Sequence, residues 1–362
     1  MIPSLPGVVA VILAVAVAVP ATPGPAYEGR DPRQWGVQRL AAQLLFSCVD
    51  LGDLREARRH AALGIGGVAL LGSEPPDRLR LRLHRVIDAA RTPVLPFLAS
   101  DEEGGTVQRL REVIYPLPSA QRMGQWRPER VRRAARAYAD RMRRLGVRMD
   151  LAPVADLAVP GSYIDSLGRA FNSDPERVAR RVRAWRLGMR DAGVLTVLKH
   201  WPGHGSAGNS HTGPARVGPL EELESRDLVP FRAELAAGAE VVMVGHLLSK
   251  GLTRRGIPAS LSPRALSYLR ASAGPDTVIV TDSLTMAAAS RSLGISPTRA
   301  PVRALRAGAD WAMTCDTPPQ RAVAAVRRAI DDGRLPRAAA VASARRILEL
   351  KARWGLAPSS VD

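Results

Sequence analysis

Lysine is almost missing from this chain. It occurs at Lys199, Lys250 and Lys351 alone, so a net charge of +18 rests on arginine. The arginines are spread along segments of helical spacing rather than gathered at one place, which argues against a nucleic-acid partner; a basic surface of this kind suits an anionic cell envelope instead. Aromatic residues make up 4% of the chain, so the core must be built of Ala, Val and Leu. The two cysteines, Cys48 in "LLFSCV" and Cys315 in "DWAMTC", lie far apart in apolar stretches and read as buried thiols rather than a disulfide. No G-x-G-x-x-G turn follows the first apolar run, which removes the mark of a dinucleotide-binding sheet. There is no H-E-x-x-H and no cysteine-based metal spacing, so neither an organic cofactor nor a metal is expected.

What is present is enough apolar residue, 46% of 362, to bury a full core, as one large α/β domain or two small ones. Residues 1–26 combine an apolar run with small residues and prolines, the layout of an export signal, although a basic start is lacking. The alternative for this segment is an uncleaved apolar anchor. No cysteine follows it, so a lipid anchor is not expected. Residues 27–35 read as a linker, 36–357 as the folded unit and 358–362 as a tail. The implied location is secreted or cell envelope.

From residue 36 onward, short aliphatic runs alternate with arginine-rich amphipathic segments, the pattern of repeated βα units. Strands are expected at 43–49, 66–72, 93–100, 147–154, 194–200, 240–246, 277–282 and 310–315, and eight of them point to a (β/α)₈ barrel. The segment 128–146 places Val131, Ala135, Tyr138 and Met142 on one helical face and arginines on the other, as an outer-ring helix should. Asp101, Asp156, Lys199, His200, His246 and Asp282 each fall at or just past the C-terminal end of an expected strand. In a barrel that end is the catalytic face.

Three stretches carry the chemistry. "SDEEGGTVQRLRE" (100–112) sets three acids and a Gly pair after a strand, either as an acidic cap for the next helix or as part of a binding rim. "LKHWPGHGSAGNSH" (198–211) places Lys199 and His200 at a strand end, then a loop able to carry His211 to a substrate. "VIVTDSLTM" (278–286) ends a strand with Asp282, a helix N-cap or a nucleophile. A sugar-cleaving double displacement normally uses two carboxylates; here His211 is the candidate acid/base beside Asp282.

With these motifs in their order, "QLLF", "DEEGG.VQRLR", "LAPVADL", "GRAF..DP", "KHWPGHG....SH", "GH" and "TDSLTM", the chain resembles the bacterial β-N-acetylhexosaminidases of glycoside hydrolase family 3, over about residues 36–355. The resemblance implies a single-domain barrel that removes terminal β-linked N-acetylglucosamine in cell-wall turnover, acting on a carbohydrate. It implies Asp282 as nucleophile and His211 as acid/base, with Asp101, Arg109, Arg169, Lys199 and His200 holding sugar hydroxyls. Asp156 and His246 are placed with that binding set.

The departure is at Asn209. The family pattern is Asp-Ser-His, its carboxylate pairing with the histidine ring; here it reads Asn-Ser-His. An amide oxygen can accept a ring N–H but cannot stabilise an imidazolium, so a slow enzyme, a glycan-binding homologue or a phosphorylase using phosphate as acceptor are the alternatives. Asn209 therefore counts among the catalytic positions. "DEE" for the usual Asp-Gln-Glu and Thr106 for a common arginine are further departures.

Overall fold

A computed structural model describes residues 31–358. The expected signal or anchor at 1–26 lies outside the described residues. The eight expected strands are all present, each somewhat shorter than its apolar run. They are β1 Leu45–Asp50, β2 Gly67–Leu71, β3 Phe97–Ser100, β4 Met149–Asp150, β5 in two pieces (Leu195–Thr196 and Leu198–Trp201), β6 Val241–Val244, β7 Val278–Thr281 and β8 Ala312–Thr314. The aliphatic runs are buried almost throughout, as strands covered on both faces must be.

Pairing is parallel and closes into a cylinder. β2 to β3, β3 to β4 and β4 to β5 follow in order, β6 lies between β5 and β7, and a single bridge from Val280 to Trp311 joins β7 to β8. Closure comes from β8 against β1, with Leu45 opposite Ala312 and Ser47 opposite Thr314. At the bottom of the barrel, Trp311 meets Phe46 and Phe97 edge-on, ring centroids 5.1 and 6.1 Å apart. Its indole N–H donates to the Gln43 carbonyl at 2.8 Å. These few aromatics thus fill the bottom of the barrel, where aliphatic side chains alone would leave gaps.

Helix α1 Val37–Gln43 precedes β1, and the other helices follow strands as an outer ring: α2 Leu54–Leu63, α3 Leu79–Ile87, α4 Pro128–Leu145, α5 Pro175–Asp191, α6 Val229–Ala236, α7 Pro263–Ala273, α8 Arg299–Ala307, α9 Pro319–Asp331 and α10 Arg337–Arg353. α4 behaves as its pattern requires. Val131, Ala135, Tyr138 and Met142 are buried, Pro128 opens it where a missing N–H costs nothing, and Gly146, at φ +98, ends it in the left-handed conformation that glycine tolerates. Among the described residues no helix is long and apolar enough to cross a membrane.

The cysteines contradict the sequence expectation. Cys48 and Cys315 form a disulfide, their Cα atoms 4.7 Å apart. The β1–β8 register explains it: one residue beyond the Ser47–Thr314 pair, the two cysteines lie side by side where the first and last strands close the cylinder. Their apolar sequence surroundings reported burial and carried no information about which distant strand would be the neighbour.

Candidate active site

Above the C-terminal ends of the strands lies a cavity of about 240 Å³. Asp101, Arg109, Arg169, Lys199, His200, His211 and Asp282 line it, together with Tyr163, His204, Met286 and the two cystine residues. Seven of the ten site residues expected from sequence therefore line one cavity. Asp156, His246 and Asn209 are not; each stands behind a residue that is.

The three acids after β3 differ in their partners, although Asp101 and Glu103 share Lys199, and none caps a helix. Asp101 Oδ1 accepts from Lys199 Nζ at 2.6 Å, while Arg109 stands 3.9 Å from its other oxygen. Glu103 accepts two parallel bonds from Arg169, both 2.8 Å, and a third contact from Lys199 at 2.6 Å. Burial would raise the Glu103 carboxyl, but Lys199 and Arg169 hold it well below the usual carboxylate range. Burial likewise opposes the charge on Lys199, which Asp101 and Glu103 more than restore. Glu102 turns away into the barrel wall, where Ser100 Oγ and Tyr138 Oη donate to it. There burial pushes its pKa up to about 7.

The loop after β5 is pinned from below by Asp156. One oxygen of this buried carboxylate accepts the backbone N–H of His200 at 3.1 Å and of His204 at 2.7 Å; the other lies 2.7 Å from His200 Nδ1. Burial would raise Asp156, yet these donors lower it. An Nδ1–H given to Asp156 leaves Nε2 as the remaining ring nitrogen of His200. Gly203, at φ +118, lets the chain turn where any Cβ would meet Asp227 at 2.7 Å.

The same loop carries His211 to the cavity mouth, where its side chain is exposed. Its carbonyl and that of Ser210 accept from the N–H groups of Ala287 and Ala288 at 3.4 and 3.3 Å, which ties the loop to the segment after Asp282. The Tyr163 ring lies 6.3 Å from the His211 ring and 6.1 Å from that of His204. Asn209 Oδ1 accepts the His211 backbone N–H at 2.9 Å; among the described residues it makes no bond to the ring. The sequence expectation allowed Asn209 to keep the ring oriented through its oxygen, and the Asx turn occupies that oxygen instead.

Asp282 ends β7. Its Oδ1 accepts the Ser283 N–H at 2.7 Å. Burial alone would raise its pKa, but His246, His200, that N–H and His211 outweigh it and hold the carboxyl at about 2. His246 sits behind it, fully buried, with Nε2 2.8 Å from the Ser283 carbonyl and Nδ1 2.7 Å from Ser260 Oγ. A carbonyl can only accept, so Nε2 carries the proton, and burial keeps this ring from charging. Among the described residues no three His, Cys, Asp or Glu side chains are grouped so as to hold a metal ion.

Comparison with known proteins settles the kinship. The model of the glycosyl hydrolase family 3 N-terminal domain matches residues 59–350. The chain belongs to glycoside hydrolase family 3. It is 37% identical over 349 residues to the β-hexosaminidase LpqI of Mycobacterium tuberculosis, covering 93% of this chain and 88% of that protein. A solved family 3 glycosyl hydrolase from Mycobacterium smegmatis superposes with a TM-score of 0.80 at 36% identity, over 88% of this chain and 97% of that one. A β-N-acetylhexosaminidase from Beutenbergia cavernae gives 0.80 at 27%, over 88% and 98%.

Within this family 3 barrel, sequence reasoning missed Glu103, Tyr163, His204 and the cystine wall. Glu103 was visible as one of three adjacent acids, but nothing in a run of like residues says which one faces Arg169. Tyr163 lies on a short helical turn with no recurring pattern around it.

Proposed function

We propose that this protein is a retaining β-N-acetylhexosaminidase that releases terminal β-linked N-acetylglucosamine, with Asp282 as nucleophile and His211 as acid and then base. The family and the names of its relatives support the reaction class. The observation that carries the assignment of roles is the state of the cavity's carboxylates. Glu103, held ionised by Lys199 and Arg169, makes a poor proton donor, and Asp101 is engaged by Lys199, while Asp282 is ionised with one oxygen not used by Ser283. Among the residues expected to catalyse, that leaves His211 for proton transfer.

In the first step an Asp282 oxygen attacks the anomeric carbon as the glycosidic C–O bond breaks and His211 gives its proton to the departing oxygen. In the second, neutral His211 removes a proton from water, whose oxygen attacks the same carbon and expels Asp282. Two inversions leave the configuration retained. Arg169, Lys199, His200, Asp101 and Arg109 hold the sugar's hydroxyls, Asp156 sets the tautomer of His200, and His246 fixes the peptide after Asp282. The natural substrate is a cell-wall glycan or muropeptide met outside the cytoplasm or in the envelope, in keeping with the apolar start and basic surface; the peptide mass of the mature N-terminus tests the export half of this reading.

The test of the reaction is nitrophenol release from p-nitrophenyl β-N-acetylglucosaminide and from the β-glucoside, with and without phosphate. Turnover of the acetamido substrate alone, independent of phosphate, supports the hydrolase. Dependence on phosphate would convert the reading to a phosphorylase. Activity appearing only when Asn209 is changed to Asp would mark a glycan-binding homologue that has lost its acid.

A further inference from the structure

Away from the pocket, a cavity of about 660 Å³ opens on the outer wall of the barrel between α8 and α9. Its floor is apolar, with Leu293, Ile295, Val302 and Ala325, and its sides carry Arg299, Arg303, Arg306, Arg328 and Arg334. Some surface arginines elsewhere have an acid beside them, Arg132 with Asp191, Arg144 with Asp140 and Arg183 with Glu234, and the basic hollow that holds Arg133 and Arg136 also contains Asp140 and Asp191. In this groove only Arg334 has one, Asp332 at 2.8 Å. The guanidinium groups of Arg299, Arg303, Arg306 and Arg328 have no ion-pair or hydrogen-bond partner among the described residues. The sequence explains why. No Asp or Glu occurs from Ser283 to Ala309, or from Thr317 to Ile330, so α8 supplies no counter-charge of its own, and the acids at the end of α9, Asp331 and Asp332, pair with Arg327 and Arg334.

Like charges held this close without a counter-charge repel one another, and an external anion relieves that cost. The shape selects among anions. A concave groove between two helices admits a chain, whereas a bilayer surface would meet only the helix crests. Guanidinium forks pair bidentately with phosphate, which stays ionised across the physiological range. The upper end of the trough, Leu293 to Thr298, belongs to the loop whose first residues, Ser283 and Met286, line the central cavity.

We infer that the α8–α9 groove binds a linear phosphate-bearing polymer, which holds the enzyme on a polyanionic matrix beside the glycan it processes. This inference does not depend on the assignment of Asp282 or His211.

The experiment is titration of the full protein with a short linear polyphosphate, comparing wild type, Arg303→Glu/Arg306→Glu and a control of equal charge change, Arg133→Glu/Arg136→Glu, in a separate basic hollow. Binding weakened by about tenfold or more in the groove variant, and by less than about twofold in the control, is expected from two reversed surface contacts. An Arg303→Gln/Arg306→Gln variant with an unchanged circular dichroism spectrum guards against misfolding and should lose affinity in the same direction. Equal losses in groove and control would reduce the effect to net charge and overturn the inference. So would failure of wild type to bind polyphosphate while it binds vesicles containing anionic phospholipid, which would assign the arginines to a membrane surface.

Discussion

Asn209 spends its amide oxygen on the backbone of His211, so the ring proposed to shuttle a proton has an aromatic neighbour in Tyr163 but, among the described residues, no carboxylate bonded to it. Replacing Asn209 by Asp puts a negative charge beside that ring and stabilises its protonated form. Turnover of substrates with poor leaving groups should rise, by up to about 10⁴-fold if the serine-protease precedent sets the ceiling, while substrates with activated leaving groups gain much less. A leaving-group series on the two proteins measures the difference, and equal gains across the series would remove His211 from proton transfer. Asp282→Asn should lower kcat by about 10⁴-fold or more with the circular dichroism spectrum intact. Glu103→Gln tests the ion cluster: it leaves buried Lys199 and Arg169 short of one charge, so a loss of about 3 kcal/mol in unfolding free energy is expected, together with a raised KM, as read by urea titration and steady-state kinetics.

Among the elements, the eight strands were legible because a strand buried on both faces is written as an unbroken aliphatic run, and polar residues at the ends of those runs marked the face of the barrel that holds the cavity. Such a run says nothing about which partner a side chain meets. Asp156 and His246 sit at strand ends like Lys199, yet their side chains turn behind the cavity wall to fix His200 and the Ser283 peptide. That direction is set by loop geometry, and three adjacent acids look equivalent until a neighbouring loop supplies Arg169. The disulfide was illegible for a simpler reason: adjacency of β1 and β8 is a property of closure, visible only once every intervening strand is counted round. Removing it by Cys48→Ser/Cys315→Ser should cost about 2–4 kcal/mol, and the same loss should appear in the wild type under reductant; no loss in either would mean the closed register of β1 on β8 needs no covalent help.

For the whole molecule, stability above about pH 4 should depend on pH through a group outside the proposed chemistry. Glu102 titrates near its ordinary 4.5 when unfolded and about 7 when folded. The folded state therefore holds its proton more tightly, unfolding releases it between those values, and stability falls as pH rises through that window, by up to about 3 kcal/mol. Asp282, held at about 2, acts in the opposite sense and in a separate range, losing its contribution only as pH falls below about 4. Urea titrations at pH 5 and pH 7.5 should show the decline in wild type and a flatter response in Glu102→Gln; identical slopes would assign the pH dependence to another group.

The bond between Cys48 and Cys315, 267 positions apart, turns most of the chain into a covalent ring. Asp101, Arg169, His211 and Asp282 all lie inside it. A protease that cuts one exposed loop, the His211 loop included, opens the ring without releasing a piece, and the two new ends stay tethered through the first and last strands. A nicked enzyme of this kind would run as one species on a denaturing gel without reductant and as two with it, so damage in a protease-rich surrounding need not mean loss of the catalytic half.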